Sequence, residues 1–130
     1  MSDKLQEALE RGLYGTPETK PDERRMFLST IVERIYLALT KKQVIQKGMY
    51  DEAIDIMKSK RNIQLFINGS LSYQLYANYV KQANQFQVPF TVVNVEHETP
   101  IGLVLASKQE AINQTDIFIK DDLYKSEMGD

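Results

Sequence analysis

The strongest constraint on the fold is an uninterrupted run of apolar residues from Ile35 to Leu39. A strand that faces water on one side alternates apolar and polar residues, whereas a strand covered on both faces reads as a continuous apolar run. A second run of this kind extends from Leu103 to Ala106. The chain therefore predicts an α/β protein, in which helices cover both faces of a sheet.

The remaining elements follow from residue periodicity and turn signals. Strands are predicted over about 32–39, 63–67, 89–95 and 101–106, and helices over about 43–59 and 73–86. Helices link the first three strands, which should run parallel, whereas the loop at 96–100 is too short for a crossover, so that the fourth strand runs antiparallel. We predict a single domain over 1–130. It consists of a short helix (3–11) and irregular arm reaching residue 30, a βαβαββ core over 31–107, and a C-terminal segment over 108–130 with a helical turn near 107–114 and a frayed tail.

Composition narrows the chemistry. The 130 residues include no cysteine and one histidine, which excludes disulfides, thiolate chemistry and a paired-histidine zinc site. We find no catalytic constellation and expect no metal or cofactor. The net charge of −2 disfavours a dedicated nucleic-acid binder. The charged N-terminus resembles no secretory leader, and the apolar runs are too short to span a bilayer, so we expect a cytoplasmic protein.

A ligand site is predicted where the parallel strands end, since open α/β sheets bind ligands at that edge. The segments 40–42, 68–72 and 96–98 should meet there, and the amides that open the second helix could hold an anion. The predicted ligand-binding residues are Thr40, Lys41, Lys42, Asn68, Gly69, Ser70, Ser72 and His97. The plainer interpretation is an ordinary turn with hydroxyl caps and a solvated loop around His97.

A tyrosine-rich helix is the predicted surface for self-association. Tyr73, Tyr76 and Tyr79 are three residues apart and sweep around the helix, so they cannot all face inward. Exposed tyrosine is favoured in protein interfaces. The alternative is that these side chains cover the sheet with their hydroxyl groups in water.

A dense set of charges lies before and within the first strand, and we interpret it as structural ion pairing rather than catalysis. Its members are Asp22, Glu23, Arg24, Arg25, Glu33 and Arg34.

Short motifs throughout the chain resemble the YueI-like family of small bacterial proteins of unknown function. They are Gly15-Thr-Pro17, Pro21-Asp-Glu23, Leu28-Ser-Thr30, Glu33-Arg34, Tyr36-Leu-Ala-Leu-Thr40 and Gly102-Leu-Val-Leu-Ala-Ser107. Glycine is common in that family where this chain has Ser29. The resemblance implies a strand order of 1-4-2-3, whereas the pattern alone favours a hairpin of the last two strands. The family has no established catalytic or binding residues, so the resemblance assigns no functional role to any residue of this chain.

A second resemblance concerns the basic segment Lys41–Arg61, which holds six basic and three acidic residues. Lys47-Gly48, Asp51-Glu52 and the strand at 63–67 resemble the kink-turn RNA-binding ribosomal family. That family has an asparagine before the glutamate, and the aspartate found here would repel phosphate. The alternative is a solvated helix.

Three function classes remain open. The first is a non-enzymatic binding or regulatory module that self-associates and whose ligand is unknown. The second is an RNA-binding adaptor, which needs a contiguous basic surface. The third is a small-metabolite enzyme at the carboxyl edge, because the same strand arrangement occurs in a chorismate-mutase-type fold.

Overall fold

A computed structural model describes residues 21–129 of the chain. Its elements are α1 (Pro21–Met26), a 3-10 turn (Val32–Arg34), β1 (Ile35–Thr40), α2 (Lys41–Ile45), α3 (Asp51–Ser59), β2 (Ile63–Asn68), α4 (Tyr73–Gln85), β3 (Phe90–Val93), β4 (Ile101–Ser107) and α5 (Asp122–Met128). The predicted helix at 3–11 and most of the irregular arm lie outside the described residues.

The four strands form one mixed sheet in the order β1-β4-β2-β3. β2 and β3 are parallel, and β4 runs antiparallel to both β1 and β2. The order and the antiparallel fourth strand implied by the family resemblance are therefore confirmed. The last strand in the sequence lies inside the sheet, and all seven of its residues are buried.

Each face of the sheet has its own apolar core. Leu103 and Leu105 of β4 belong to the cluster that includes residues of α3 and α4. Val104 and Ala106 belong to the opposite cluster, which includes residues of α1 and α5. Because successive side chains of a strand point to opposite faces, coverage on both sides requires an apolar residue at every position. This explains the continuous apolar run.

The helix predicted over 43–59 is two helices. α2 ends at Ile45, and α3 begins at Asp51 after an irregular stretch. Gly48 has a φ of +83° in that stretch, a conformation that glycine adopts without steric cost. The predicted first strand is also shorter, because residues 32–34 form a 3-10 turn.

The C-terminal predictions need two corrections. Residues 108–114 form no helical turn, because the amides of Ile112 and Asn113 both donate to the carbonyl of Glu33 and not to carbonyls within the segment. The predicted frayed tail is the helix α5, whose Tyr124 and Met128 are buried against the sheet. Only two buried residues, four positions apart, mark its inner face, which is too short a pattern to predict a helix from the sequence.

The charge set before β1 is largely structural. The Oε1 atom of buried Glu23 accepts a hydrogen bond from the Val32 amide at 2.6 Å, which joins α1 to the 3-10 turn. Arg25 Nη1 lies 3.6 Å from Asp22 Oδ1, as ion pairing predicts. Within residues 21–129, the buried Nε atom of Arg34 has no hydrogen-bond partner.

Gly102 allows α2 to lie directly on β4, and its replacement tests that contact. A Cβ atom at this position would lie 3.0 Å from Lys41 Cα and from Val44 Cγ2. We expect Gly102→Val to lower the free energy of unfolding by about 1–3 kcal/mol through overpacking, with a smaller loss for Gly102→Ala. Urea denaturation measures both. Ala111→Val, at an exposed site, is the control, and an unchanged midpoint for Gly102→Val would contradict the packing.

Candidate functional site

The polar segments predicted to form a site do meet at the carboxyl edge of the sheet, where β1, β2 and β3 end. Thr40 closes β1 and caps α2. Its hydroxyl accepts a hydrogen bond from the Gln43 amide at 3.2 Å, and Gln43 Oε1 accepts one from the Thr40 amide at 2.9 Å. This reciprocal capping box is completely buried, so the prediction that Thr40 contacts a ligand is wrong.

The turn after β2 is likewise used by the fold itself. Asn68 is buried, its Nδ2 donates to the Ile101 carbonyl at 3.0 Å, and its Oδ1 accepts from the Ser70 amide at 2.8 Å. These bonds hold the end of β2 against the start of β4, and they remove Asn68 from the set of ligand-binding candidates. Gly69 passes so close to β3 that a Cβ atom would lie 2.7 Å from the Val93 carbonyl oxygen.

Ser70 and Ser72 remain exposed at the start of α4. Ser72 is the N-cap residue, but its hydroxyl makes no capping bond, contrary to the prediction. A ligand-binding role for Gly69, Ser70 and Ser72 stays a prediction.

The two lysines that follow β1 are engaged with the rest of the chain. Lys41 Nζ lies 3.9 Å from Glu98 Oε1. The Lys42 amide donates to Glu127 Oε1 at 2.8 Å, and Lys42 Nζ donates to Ser126 Oγ at 2.6 Å. A carboxylate of α5 thus already accepts a hydrogen bond from an amide at the start of α2, beside the two lysines that were predicted to add charge to an anion site.

Asp121 is the centre of a polar network that sequence inspection did not reveal. Its Oδ1 accepts hydrogen bonds from Gln43 Nε2 and from the Tyr124 amide, each at 3.0 Å, and so caps α5. Its Oδ2 accepts from the Tyr50 hydroxyl. The Tyr50 amide in turn donates to the Tyr79 hydroxyl at 3.2 Å. The network therefore joins α2, α3, α4 and α5 at one end of the sheet.

The ionisation of this network follows from its hydrogen bonds. Burial alone would raise the pKa of Asp121, but bonds from Tyr50, the Tyr124 amide and Gln43 outweigh it and lower the pKa. Burial, the hydrogen bond to Asp121 and its negative charge raise the pKa of Tyr50 far above the usual value for tyrosine. Both shifts keep the proton on the phenol, so the pair is a charge-assisted structural bond.

The predicted tyrosine surface is mostly internal. Tyr79 and Tyr76 are only 1% and 7% exposed, because both pack in the core between α4 and the sheet. The prediction that they form an exposed interface is therefore wrong. Tyr73 is 59% exposed and contacts Tyr76 edge-on, with ring centres 5.5 Å apart. It alone of the three tyrosines presents a large surface to a partner.

A cleft of about 290 Å³ opens between the end of α1 and the segment that follows β3. Its lining residues are Arg24, Arg25, Leu28, Ser29, Val93, Asn94, Val95, Glu96 and His97. Arg24 Nη1 donates to the Ser29 carbonyl at 3.1 Å, which orients this guanidinium along the cleft wall. Of the predicted ligand-binding residues, His97 lies in this cleft. The two arginines were assigned to ion pairing alone, and only the fold brings them to His97.

The turn that ends α1 forms one wall of the cleft with an unusual backbone. Leu28 and Ser29 have φ values of 56° and 80°, and the Ser29 amide donates to the Arg24 carbonyl at 2.7 Å. Positive φ is costly for residues with a side chain. This cost explains why the YueI-like family often has glycine where this chain has Ser29. Retention of such strain is typical of ligand-binding sites.

The basic segment Lys41–Arg61 does not form one surface. Lys41 and Lys42 lie at the carboxyl edge, whereas Lys60 and Arg61 precede β2 at the opposite end of the sheet. Lys60 Nζ stacks over the Tyr36 ring at 5.6 Å. Lys60 and Arg61 share a second cleft, of about 270 Å³, with Lys108. This division of charge argues against the single basic surface that an RNA adaptor needs.

Residues 21–129 offer neither a cluster of metal ligands nor a membrane-spanning helix. This part of the chain contains no group of three or more His, Asp or Glu side chains that could hold a metal ion. None of its helices has the length and apolar character needed to cross a bilayer.

The fold and the cleft together define a small α/β protein with a mixed four-stranded sheet and an arginine-lined opening at its carboxyl edge. The chain belongs to the family described as protein of unknown function (DUF1694), whose model matches residues 2–118. It is 45% identical over 123 residues to the uncharacterized protein YueI of Bacillus subtilis (strain 168), covering 94% of this chain and 92% of that protein. The crystal structure of the B. subtilis YueI protein superposes with a TM-score of 0.83 at 43% identity, covering 97% of this chain and 98% of the other. The resemblance to the YueI-like family is thereby confirmed.

Replacement of Asp121 tests the network. We expect Asp121→Asn to lower the free energy of unfolding by about 1–3 kcal/mol at neutral pH, because hydrogen bonds to a charged acceptor lose that much when the charge is removed. Asp122→Asn changes the same charge at an adjacent exposed position and should have little effect. Chemical denaturation of the three proteins measures the difference, and equal losses for both variants would contradict the assignment.

The same variant predicts a pH dependence. The folded-state pKa of Asp121 lies below its usual value of 3.8, so its stabilising contribution is complete above that value and disappears as pH falls through the folded-state pKa. The stability difference between the unmodified protein and Asp121→Asn should therefore shrink below about pH 3.8. A difference that stays constant to the acid-unfolding limit would refute this role.

Proposed function

We propose that this protein is a non-enzymatic binding module that holds a small anionic metabolite in the cleft between α1 and the segment after β3. The observation that carries the proposal is the convergence of Arg24, Arg25 and His97 on one opening at the carboxyl edge of the sheet. Guanidinium groups bind carboxylate and phosphate oxygens in bidentate geometry, which gives both affinity and orientation.

The ion pair of Arg25 is weak enough for a ligand to replace. The pair of Arg25 with Asp22 is 3.6 Å long, and both side chains are about half exposed, so an anion can displace it at little cost. Arg24 is oriented by the Ser29 carbonyl, which accepts one of its five donor hydrogens.

The shape and remaining charges of the cleft restrict the ligand. About 290 Å³ lies at the small end of metabolite pockets, and Leu28, Val93 and Val95 provide apolar lining. Glu96 lines the same cleft and would repel a second anionic group. The ligand class that fits has one phosphate or carboxylate and a hydroxyl or amino group that can reach Glu96.

Binding is favoured over catalysis by the chemistry at this edge. The pKa of Asp121 is lowered and the pKa of Tyr50 is raised, so the shared proton stays on the Tyr50 hydroxyl and is not available for transfer. A cytoplasmic location is part of the proposal and is supported by a sequence of 130 residues without cysteine.

Calorimetric titration at low salt tests the proposal, with phosphoethanolamine and inorganic phosphate as probes. Because a charged hydrogen bond contributes about 1.5–3 kcal/mol, Arg25→Ala should weaken binding roughly tenfold or more, and His97→Ala should weaken it to a lesser degree. The double variant Lys41→Ala/Lys42→Ala removes two positive charges at the same edge, more than Arg25→Ala does, and should bind normally.

The outcomes separate the alternatives. Loss of binding in the lysine double variant but not in Arg25→Ala would mean that the anion binds beside Lys41 and Lys42 and not in the cleft. No binding of either probe would refute the proposal. Binding of a kink-turn RNA that is lost in Lys60→Ala/Arg61→Ala would favour the adaptor class, since those residues share the cleft at the opposite end of the sheet.

A further inference from the structure

The two edges of the sheet differ in how the chain covers them. At the β1 edge, residues 117 and 118 lie alongside the strand, and the Ala38 amide donates to the Ile117 carbonyl at 2.7 Å. At the β3 edge, residues 21–129 provide no such cover. Phe90 and Val92 there are 39% and 44% exposed, although both are large and apolar.

The outward backbone groups of β3 can be identified from its pairing with β2. The Leu65 amide donates to the Pro89 carbonyl, and the Gly69 amide donates to the Val93 carbonyl. Because backbone groups alternate in direction along a strand, Pro89, Thr91 and Val93 face β2. Phe90 and Val92 therefore direct their N–H and C=O groups away from the sheet, and no hydrogen bond reaches these groups from the described residues.

The composition of this edge is suited to pairing with an identical strand. Natural edge strands are usually protected by a charge, a proline or a bulge. Residues 82–95 contain no charged residue, and β3 pairs with β2 in continuous register. Pro89 gives no protection, because its position in the ladder turns its nitrogen toward β2. An uncharged strand offers nothing for a charged partner to recognise, whereas two copies meet without repulsion.

We propose that β3 of one molecule pairs antiparallel with β3 of a second copy, about a two-fold axis that passes beside Thr91. In this register Phe90 exchanges both backbone hydrogen bonds with Val92 of the second copy, and Val92 does so with Phe90 of the second copy. Thr91 faces the same threonine of the second copy across a non-hydrogen-bonded position, a favourable cross-strand pair. The two sheets become one continuous sheet of eight strands.

The side chains agree with this register. Phe90 and Val92 are paired with Leu65 and Ile67, so they lie on the face that α4 covers. In the dimer Phe90 lies directly opposite Val92 of the second copy, and the exposed surfaces of the two side chains extend the apolar core of that face. Phe90, Thr91 and Val92 do not line the anion cleft, so the dimer and the cleft use different residues.

Single-cysteine crosslinking tests the register, because the chain has no cysteine of its own. Facing residues at a non-hydrogen-bonded antiparallel position have Cα atoms about 4.5 Å apart, within the range that a disulfide spans. Thr91→Cys should form a disulfide-linked dimer under mild oxidation at low protein concentration. Thr115→Cys, which also replaces an exposed threonine, should crosslink at least tenfold more slowly. Equal rates would overturn the proposal.

Sedimentation velocity on the unmodified protein gives the second, independent test. We expect a dimer at micromolar concentration. Val92→Lys should weaken association at least tenfold, because it places a charge opposite the Phe90 ring of the second copy and two like charges at diagonal positions across the axis. Thr115→Lys adds the same charge away from the edge and should dimerise normally. A monomeric unmodified protein, or a Val92→Lys variant that dimerises like the control, would overturn the proposal.

Discussion

The burial of β4 between β1 and β2 is the constraint on which the rest of the structure depends. All seven residues of this strand are buried, so helices must cover both faces of the sheet. α3 and α4 cover one face, and α1 and α5 cover the other. The close contact of α2 with Gly102 and the bond from Asn68 to the Ile101 carbonyl both serve to hold the start of this strand.

Asp121 explains why the usual ligand position of an α/β sheet is occupied here by the chain itself. Its carboxylate joins α5 to Gln43 and Tyr50. Glu127 accepts a hydrogen bond from the Lys42 amide at the start of α2. The amides and hydroxyls that would receive a ligand beside β1 are thus satisfied internally. The remaining opening lies farther along the same edge, where α1 ends and β3 stops.

The sequence predicted what depends on local pattern. Continuous apolar runs indicated β1 and β4, and the short loop after β3 indicated the direction of β4. The strand order came from the family resemblance, because no local signal states that β4 inserts between β1 and β2. The break between α2 and α3 was missed because the helix predicted over 43–59 ran through Gly48 without interruption.

The candidate site was less predictable for a related reason. The edge of the sheet and the presence of His97 there followed from topology, but the two arginines that share the cleft with it are more than 70 positions earlier in the chain. Asp121 and Gln43 are 78 positions apart, so only the folded chain shows that they meet. Tyr76 and Tyr79 were assigned to a surface because spacing describes the faces of a helix but not which of them the sheet covers.

The position of β4 also affects how the molecule is made. β1 ends at Thr40, but the strand that pairs with both β1 and β2 begins only at Ile101. Before residue 101 is synthesised, the apolar strand β1 has no strand to pair with. β2 and β3, which α4 connects, can already pair with each other. Contacts so distant in sequence form slowly, and exposed apolar strands aggregate. The sheet can therefore be completed only after residues 101–107 have been synthesised, and until then the apolar first strand has no partner strand to protect it from aggregation.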